Sequence, residues 1–347
     1  MRVLLVGCGR IGRIHAESLA HHPLVTSVDV IDPAGLPVSP ETDYRVRAMA
    51  TLPTRSSSWE AAVVATPTAD HADVVRALLE RQVPVLCEKP IAIDPSVTKD
   101  LGALAEAAGV VFRSGLQRRF DPAINVIYRE VRDGALGDIL WVQSATRDPA
   151  PPSRDYLACS GGVFVDMHVH DIDIIGWLLG TTEFEVAAMG GANIEPEVSG
   201  LGDHGTTTIA LRAPAGALAT ITGSRWSPSG YAVEATVLGR DAELRMYADG
   251  SVMLGTRQAT STVHPGSPTL PKSFLDRFAT AYAAEIDGFL SEVVGGEGTG
   301  ADWRDDAAAV SLALAAQRCA AANARRVVGT AMKASPDDAE CTPFAGY

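Results

Sequence analysis

Val3-Leu4-Leu5-Val6-Gly7-Cys8-Gly9-Arg10-Ile11-Gly12-Arg13-Ile14-His15-Ala16 is the stretch on which the reading of this chain turns. Four consecutive apolar residues read as a strand buried on both faces. They lead without a break into Gly-x-Gly-x-x-Gly, and helical spacing of apolar residues follows at once. Strand, glycine turn and helix in that order make the motif a dinucleotide site. Gly7 permits the tight turn, Gly9 lets the backbone approach a pyrophosphate, and Gly12 allows close packing of the helix. The free N–H groups at the helix start, around Arg10 and Ile11, attract the phosphates. Asp32 lies 20 residues past Gly12 at the end of the next apolar run, where a carboxylate accepts from both ribose hydroxyls. Pro33 follows it in place of a basic residue, which favours NAD over NADP. A turn carboxylate satisfied by its own loop is the competing reading of Asp32.

Working outward, strands are expected near 2–6, 27–31, 61–66, 83–87 and 110–113, with helices near 10–21, 69–81 and 96–108 between them. That alternation predicts a doubly wound parallel sheet, a Rossmann domain spanning 1–117. Between Pro33 and Ser58 periodicity is weak, so a shortened or irregular helix and strand are expected there. From Arg118 the pattern changes. A helix near 120–133, a strand near 138–146 and a helix near 163–179 precede five β-runs at 184–192, 205–212, 216–225, 231–239 and 242–247. With no helices between them, these runs predict an antiparallel meander with one face buried. Alanine-rich helices near 274–294 and 304–325 close this second α/β domain, assigned to 118–330, and 331–347 reads as a loose tail.

The chain's 347 residues suit two such units better than one core. Its 29 basic and 42 acidic residues give a net charge of −13, which disfavours nucleic acid and anionic lipid as partners. No apolar run approaches the ~20 residues of a membrane helix, and the expected location is the cytoplasm. The five cysteines are scattered, without a zinc or disulfide pattern, and Cys8 and Cys87 read as small buried residues before they read as nucleophiles.

Two further stretches carry chemistry. Glu88-Lys89-Pro90 ends the strand at 83–87, where ligands bind in open parallel sheets, and Lys89 there can stabilise a developing alkoxide. A solvated lysine paired with Glu88 is the alternative. In Gly161-Gly162-Val163-Phe164-Val165-Asp166-Met167-His168-Val169-His170-Asp171-Ile172-Asp173, helical spacing places Asp166, His170 and Asp173 on one face, an imidazole flanked by carboxylates that would raise its basicity. His168 points away and is assigned to packing. His168, His170 and Asp171 lack the spacing that ligands on a helix need, so no metal is expected.

Together with Ala65-Thr66-Pro67-Thr68 and His71, these motifs resemble the Gfo/Idh/MocA oxidoreductase family over nearly the whole chain. Arg118-Arg119-Phe120-Asp121-Pro122, Arg147-Asp148-Pro149-Ala150-Pro151-Pro152 and Gly161 to Met167 look like its inositol 2-dehydrogenase branch. The resemblance implies an N-terminal Rossmann domain, a C-terminal domain with a large open antiparallel sheet used for oligomerisation, and a sugar or cyclitol bound between them. It implies Lys89, Asp166 and His170 as catalytic residues, and Arg119, Asp173 and Tyr231 as further substrate contacts. Thr66, Pro67, His71, Glu88 and Lys89 join the glycine motif and Asp32 around NAD. The branch usually carries Asp-Gln-Arg after the tyrosine, where this chain has Ala232-Val233-Glu234. The resulting expectation is an NAD-dependent enzyme that oxidises a cyclitol hydroxyl, myo-inositol or a relative, as a dimer or tetramer. A same-fold enzyme for an aldose, anhydrosugar or aminocyclitol is the first alternative, and a non-catalytic nucleotide-binding regulator the second.

Overall fold

Val3 to Val6 form β1 (Arg2–Val6) and are buried, because the sheet around them is covered on both faces. A computed structural model describes residues 1–33, 46–49, 59–191 and 200–322. After β1 come α1 (Arg10–His21), β2 (Ser27–Ile31), β3 (Val46–Met49), β4 (Ala61–Val64), α2 (Thr68–Leu79), β5 (Val85–Glu88), α3 (Pro95–Ala108) and β6 (Phe112–Gly115). The six strands pair in parallel in the order β3-β2-β1-β4-β5-β6. Chain direction away from β1 reverses between β1 and β4, which opens a crevice at their carboxyl ends. Most of the weakly periodic stretch from Pro33 to Ser58 lies outside the described residues, β3 excepted.

Alternation along the strands splits the packing. Leu4, Val6, Ala62 and Val64 face Val75, Leu78 and Leu79 of α2 and Leu101 of α3. Val3, Leu5, Ala61 and Val63 face Leu19 of α1 on the other side. Local chemistry sets the helix limits. Asp94 caps α3 by accepting from Ser96 N–H, Pro95 starts it, and Gly109 ends it in a left-handed conformation at φ 67°.

A 3-10 turn (Gln117–Phe120) leads into α4 (Pro122–Arg132), β7 (Ile139–Arg147), α5 (Arg154–Cys159), α6 (Val163–Asp166) and α7 (His168–Leu179). Seven strands follow: β8 (Glu185–Gly191), β9 (Thr206–Arg212), β10 (Leu218–Ser224), β11 (Ala232–Gly239), β12 (Ala242–Met246), β13 (Val252–Thr256) and β14 (Thr260–His264). Two long helices come last, α8 (Phe274–Val293) and α9 (Trp303–Ala322).

The eight strands form one sheet in the order β14-β13-β12-β11-β7-β10-β9-β8. It is not a simple meander. β7, earlier in the chain, sits between β10 and β11, parallel to the first and antiparallel to the second. Runs of adjacent β-strands in a sequence do not reveal that an older strand will separate two of them. β13 and β14 escape the sequence reading because β13 carries Gly255 and the first three residues of β14 are exposed, so neither shows clean alternation. The expected single helix over 163–179 is divided at Met167 (φ −95°, ψ −53°), next to Asp166, whose carboxylate is held by donors from outside the helix.

The last helices join the two units. Ile286, Phe289 and Leu290 of α8 pack against the sheet residues Val3 and Leu5. Asp306 of α9 accepts from Ile91 N–H and Ser114 Oγ at the end of the parallel sheet. The expected tail, 331–347, lies outside the described residues.

Gly12 is fixed by close approach, since a Cβ there would stand 2.2 Å from the Gly7 carbonyl oxygen. Gly12→Ala is expected to cost about 1–3 kcal/mol through forced overpacking, read as a lower Tm together with weaker dinucleotide binding in a fluorescence titration.

Candidate active site

The glycine turn divides its work as its geometry dictates. Gly7 holds φ 88°, and a Cβ there would meet Ala65 O at 2.5 Å. A Cβ at Gly9 would meet nothing within 4 Å, so the backbone lies open to a ligand there. α1 begins with no side-chain cap and no acidic residue in its first turn, which leaves its N–H groups and the positive end of its dipole free. Asp32 stands beside this turn and accepts from Cys8 N–H at 2.6 Å. An open backbone, unsatisfied donors and a carboxylate one strand away fit a dinucleotide's pyrophosphate and adenosine ribose. Arg10 lies over the Phe274 ring at 4.8 Å, and Ile11 packs against the second unit's core.

His71 is placed differently from a ligand-facing residue. Its Nδ1 lies 2.9 Å from Pro90 O and its Nε2 2.8 Å from Thr66 O, so it ties the loop of Thr66 and Pro67 to the segment after Lys89. Burial holds its pKa below the usual value. Burial likewise pushes the Cys8 and Cys87 thiols up, which makes both poor nucleophiles.

At the end of β5, Glu88 and Lys89 do not pair through their side chains. Glu88 Oε1 accepts from His15 Nε2 at 2.7 Å. Lys89 Nζ instead crosses to the second unit, donating to the Asp166 carbonyl at 2.7 Å and to its Oδ1 at 3.4 Å. Tyr156 Oη donates to the same Oδ1 at 2.7 Å, and Arg225 Nη1 to Oδ2 at 3.2 Å. Burial alone would raise the Asp166 pKa, but the Lys89 and Arg225 cations and the tyrosine hydroxyl outweigh it and keep the carboxyl ionised. Arg225 is itself fully buried and is shared with Asp203 at 3.0 Å.

His170 is buried beside Lys89 and Arg118, not between carboxylates. Burial first, then those two cations, hold its pKa well below the ordinary value. The expectation that carboxylates raise its basicity is therefore corrected. The break at Met167 separates Asp166 from the helix of His170, and helical spacing alone did not register the cations arriving from β5 and the 3-10 turn. His170 is neutral at pH 7, and its Nδ1 is buried without a partner. His168 has the packing role read from the sequence: fully buried, it bonds Asp171 Oδ2 at 2.9 Å and Thr207 Oγ1 at 2.6 Å.

Lys89, Asp166 and His170 thus come together, whereas Asp173 and Arg119 meet elsewhere. Arg119 donates to Asp173 at 2.6 Å and also pairs with Asp305 at 2.9 Å. These groups line a cavity of about 510 Å³ with Tyr128 and Trp177, and neither Lys89, Asp166 nor His170 is in its lining. Tyr231 is buried, edge-on to Phe274 and Phe278. Burial pushes its phenol up to about 12 even with Arg118 nearby.

The residues that sequence reading missed as site members are Tyr156, Arg225, Asp203 and Asp148. Tyr156 lies in the six-residue helix α5 and the others in loops or at a strand end, so none carries periodicity. Only Asp148 carried a signal, in the quoted stretch Arg147-Asp148-Pro149. Half-buried at the end of β7, it lies near Asp166, Lys89, Arg225 and Arg118. Burial, reinforced by the Asp166 charge, pushes it up to about 6. Two carboxyls with pKa values driven apart in one cleft are a common mark of acid–base or hydroxyl-binding sites.

Comparison with known proteins follows the same division of the chain. Residues 1–116 match a model described as oxidoreductase family, NAD-binding Rossmann fold, and residues 125–245 match the GFO/IDH/MocA C-terminal domain. The chain is 37% identical over 325 residues to myo-inositol dehydrogenase Hyg17 of Streptomyces leeuwenhoekii, covering 92% of this chain and 97% of the relative. It is 30% identical over 335 residues to the myo-inositol 2-dehydrogenase of Thermotoga maritima, covering 92% and 96%. Among solved structures, a putative myo-inositol dehydrogenase from Sinorhizobium meliloti 1021 superposes with a TM-score of 0.79 at 28% identity, covering 92% of this chain and 97% of that one.

Asp148→Asn is expected to raise stability near neutral pH. The raised pKa means that ionisation costs stability as pH rises from about 4 to about 6. The variant's Tm advantage should be full above that window and absent below it, as read by thermal unfolding in a pH series.

Proposed function

The chain belongs to the Gfo/Idh/MocA oxidoreductase family, and from that premise we propose that it oxidises one secondary hydroxyl of a cyclitol, myo-inositol or a close relative, to a ketone. It is an NAD-dependent oxidoreductase acting on CH–OH groups. The observation that carries the reading is the convergence of Lys89, Asp166 and His170 at the carboxyl end of β5, in the same parallel sheet whose β1 leads into the open glycine turn. The names of its relatives point to the ring.

Gly7, Gly9, Gly12 and the start of α1 would hold the pyrophosphate, and Asp32 the adenosine ribose, with the Thr66–Pro67 loop alongside. NAD, when bound, supplies the hydride acceptor. The remaining work falls to side chains. Neutral His170 accepts the hydroxyl proton. Lys89 donates to the reacting oxygen and stabilises it as negative charge develops. The same cations that oppose an imidazolium favour that alkoxide, so proton removal and charge stabilisation are coupled. Asp166 holds the Lys89 ammonium and can accept from a neighbouring ring hydroxyl. Asp148 offers a second acceptor or, protonated, a donor. Arg119, Asp173 and Tyr231 are assigned one layer further out.

A different ring, such as an aldose, anhydrosugar or aminocyclitol, is the second reading. It rests on Ala232 and Val233, both buried where the branch carries polar residues. Selectivity among hydroxyl patterns depends on such buried partners. The outer face of the large sheet, with Leu218, Thr208, Thr220 and Thr222 along β9 and β10, supports assembly as a dimer or tetramer. No helix among the described residues is long and apolar enough to cross a membrane, and a cytoplasmic location accords with the function proposed.

NADH absorbance with a panel of inositols, aldoses and anhydrosugars tests the substrate directly. Turnover with an inositol is the expected result, and turnover with another ring alone selects the second reading. His170→Ala and Lys89→Ala are each expected to lower kcat by roughly 10²–10⁴-fold, with NADH affinity in a fluorescence titration nearly unchanged. Loss of NADH binding would remove both residues from their assigned roles.

A further inference from the structure

Behind Lys89 lies a group of polar residues that the reaction does not use. His15 from α1, Glu88 from β5 and Glu285 from α8 are all buried, and each presents an atom within 4.8 Å of the other two. Glu88 is satisfied: Oε1 accepts from His15 Nε2 at 2.7 Å and Oε2 from Lys89 N–H at 3.3 Å. Glu285 is not. It is 1% exposed, and neither carboxylate oxygen has a hydrogen-bond donor. The surrounding elements bring no lysine or arginine onto it. α1 offers His15, the 3-10 turn offers Gln117 and Arg118, and α8 offers Tyr282, whose hydroxyl accepts from Gln117 Nε2 at 3.1 Å and makes no hydrogen bond to either Glu285 oxygen. Arg118 is engaged with Asp171 at 2.9 Å. Tyr231, beyond Tyr282, is neutral.

An ionised carboxylate without a donor, next to a second carboxylate, is not a stable occupant of a protein interior. A proton or a metal ion resolves it. The arrangement favours the proton, because Glu88 already has donors on both oxygens and a carboxylic acid at Glu285 needs only one acceptor, which Glu88 provides. We propose that Glu285 is a positioning residue: as a carboxylic acid it donates to the Glu88 carboxylate, and through Glu88 it fixes the backbone of Lys89 against the second unit. No covalent step is involved. Burial and the Glu88 charge both raise the Glu285 pKa well above the ordinary value, in keeping with this state. The sign follows. The contribution of this site is full below the ordinary glutamate pKa of about 4.5 and declines as pH rises from there to the folded pKa, because the unfolded chain releases its proton first.

This inference rests on the Proposed function only for its kinetic readout, so its test has an arm that needs no substrate. In that arm, Tm is measured over a pH series for the full chain and for Glu285→Gln, which keeps a donor but cannot ionise. Wild type is expected to lose Tm relative to the variant as pH rises above the ordinary glutamate range of about 4.5, the gap widening until the folded pKa is passed. Profiles of identical shape across the whole pH series would overturn the proposal, as would a stoichiometric metal ion in the purified protein whose removal by a chelator lowers Tm. In the kinetic arm, Glu285→Ala is expected to lower kcat about tenfold with KM for NAD little changed, and Glu285→Gln to stay within about twofold of wild type. A wild-type kcat in Glu285→Ala would also overturn it. If no ring substrate is turned over, the function fails while the Tm profile still decides the role of Glu285.

Discussion

The contact on which the site depends is the one from Lys89 to Asp166. Lys89 stands at the carboxyl end of a parallel strand, and Asp166 ends a four-residue helix in the other unit. Their ammonium–carboxylate pair is largely withdrawn from water, so neither charge is tolerable alone. Asp166 is therefore supplied with further donors, Tyr156 and Arg225, and Arg225 in turn with Asp203. Asp203 also accepts from Val163 N–H, at the start of the helix that carries Asp166. The chain of bonds closes on itself, which gives the carboxylate a fixed place without a rigid loop.

The same accounting explains His170. An imidazole beside two cations and away from solvent remains neutral, which suits a proton acceptor, while the cations make negative charge welcome on a neighbouring oxygen. Asp148 completes the pattern from the opposite side. Burial first, and then the neighbouring ionised Asp166, push its pKa up to about 6, and only one of the two carboxyls is held firmly by donors. Differences in environment give three polar residues distinct states at one pH.

Much of the fold was legible because local signals coincided. β1, the glycine turn and α1 each follow from short-range chemistry, and Gly7, Gly9 and Gly12 play separable parts that steric contacts account for. Lys89, Asp166 and His170, which the fold brings together, were singled out because strand ends and helical spacing point to them. Tyr156 and Arg225 were not, since a tyrosine in a six-residue helix after a proline-rich loop and an arginine after a strand carry no periodic mark. Asp173 and Arg119 were read with the site, yet Arg119 pairs with both Asp173 and Asp305 away from it, because an ion pair is drawn to the nearest opposite charge whatever motif contains it.

By itself the sequence determined most of the elements, the parallel sheet, the dinucleotide turn and the residue types available for hydride chemistry, all of which follow from periodicity and local conformational preference. Only the tertiary structure decided the insertion of β7 between β10 and β11, the cations around His170 and the meeting of Glu88 with Glu285. Each of these joins residues from elements distant in the chain. The charge state of a buried group depends on what the fold brings beside it, and no local pattern encodes that neighbour.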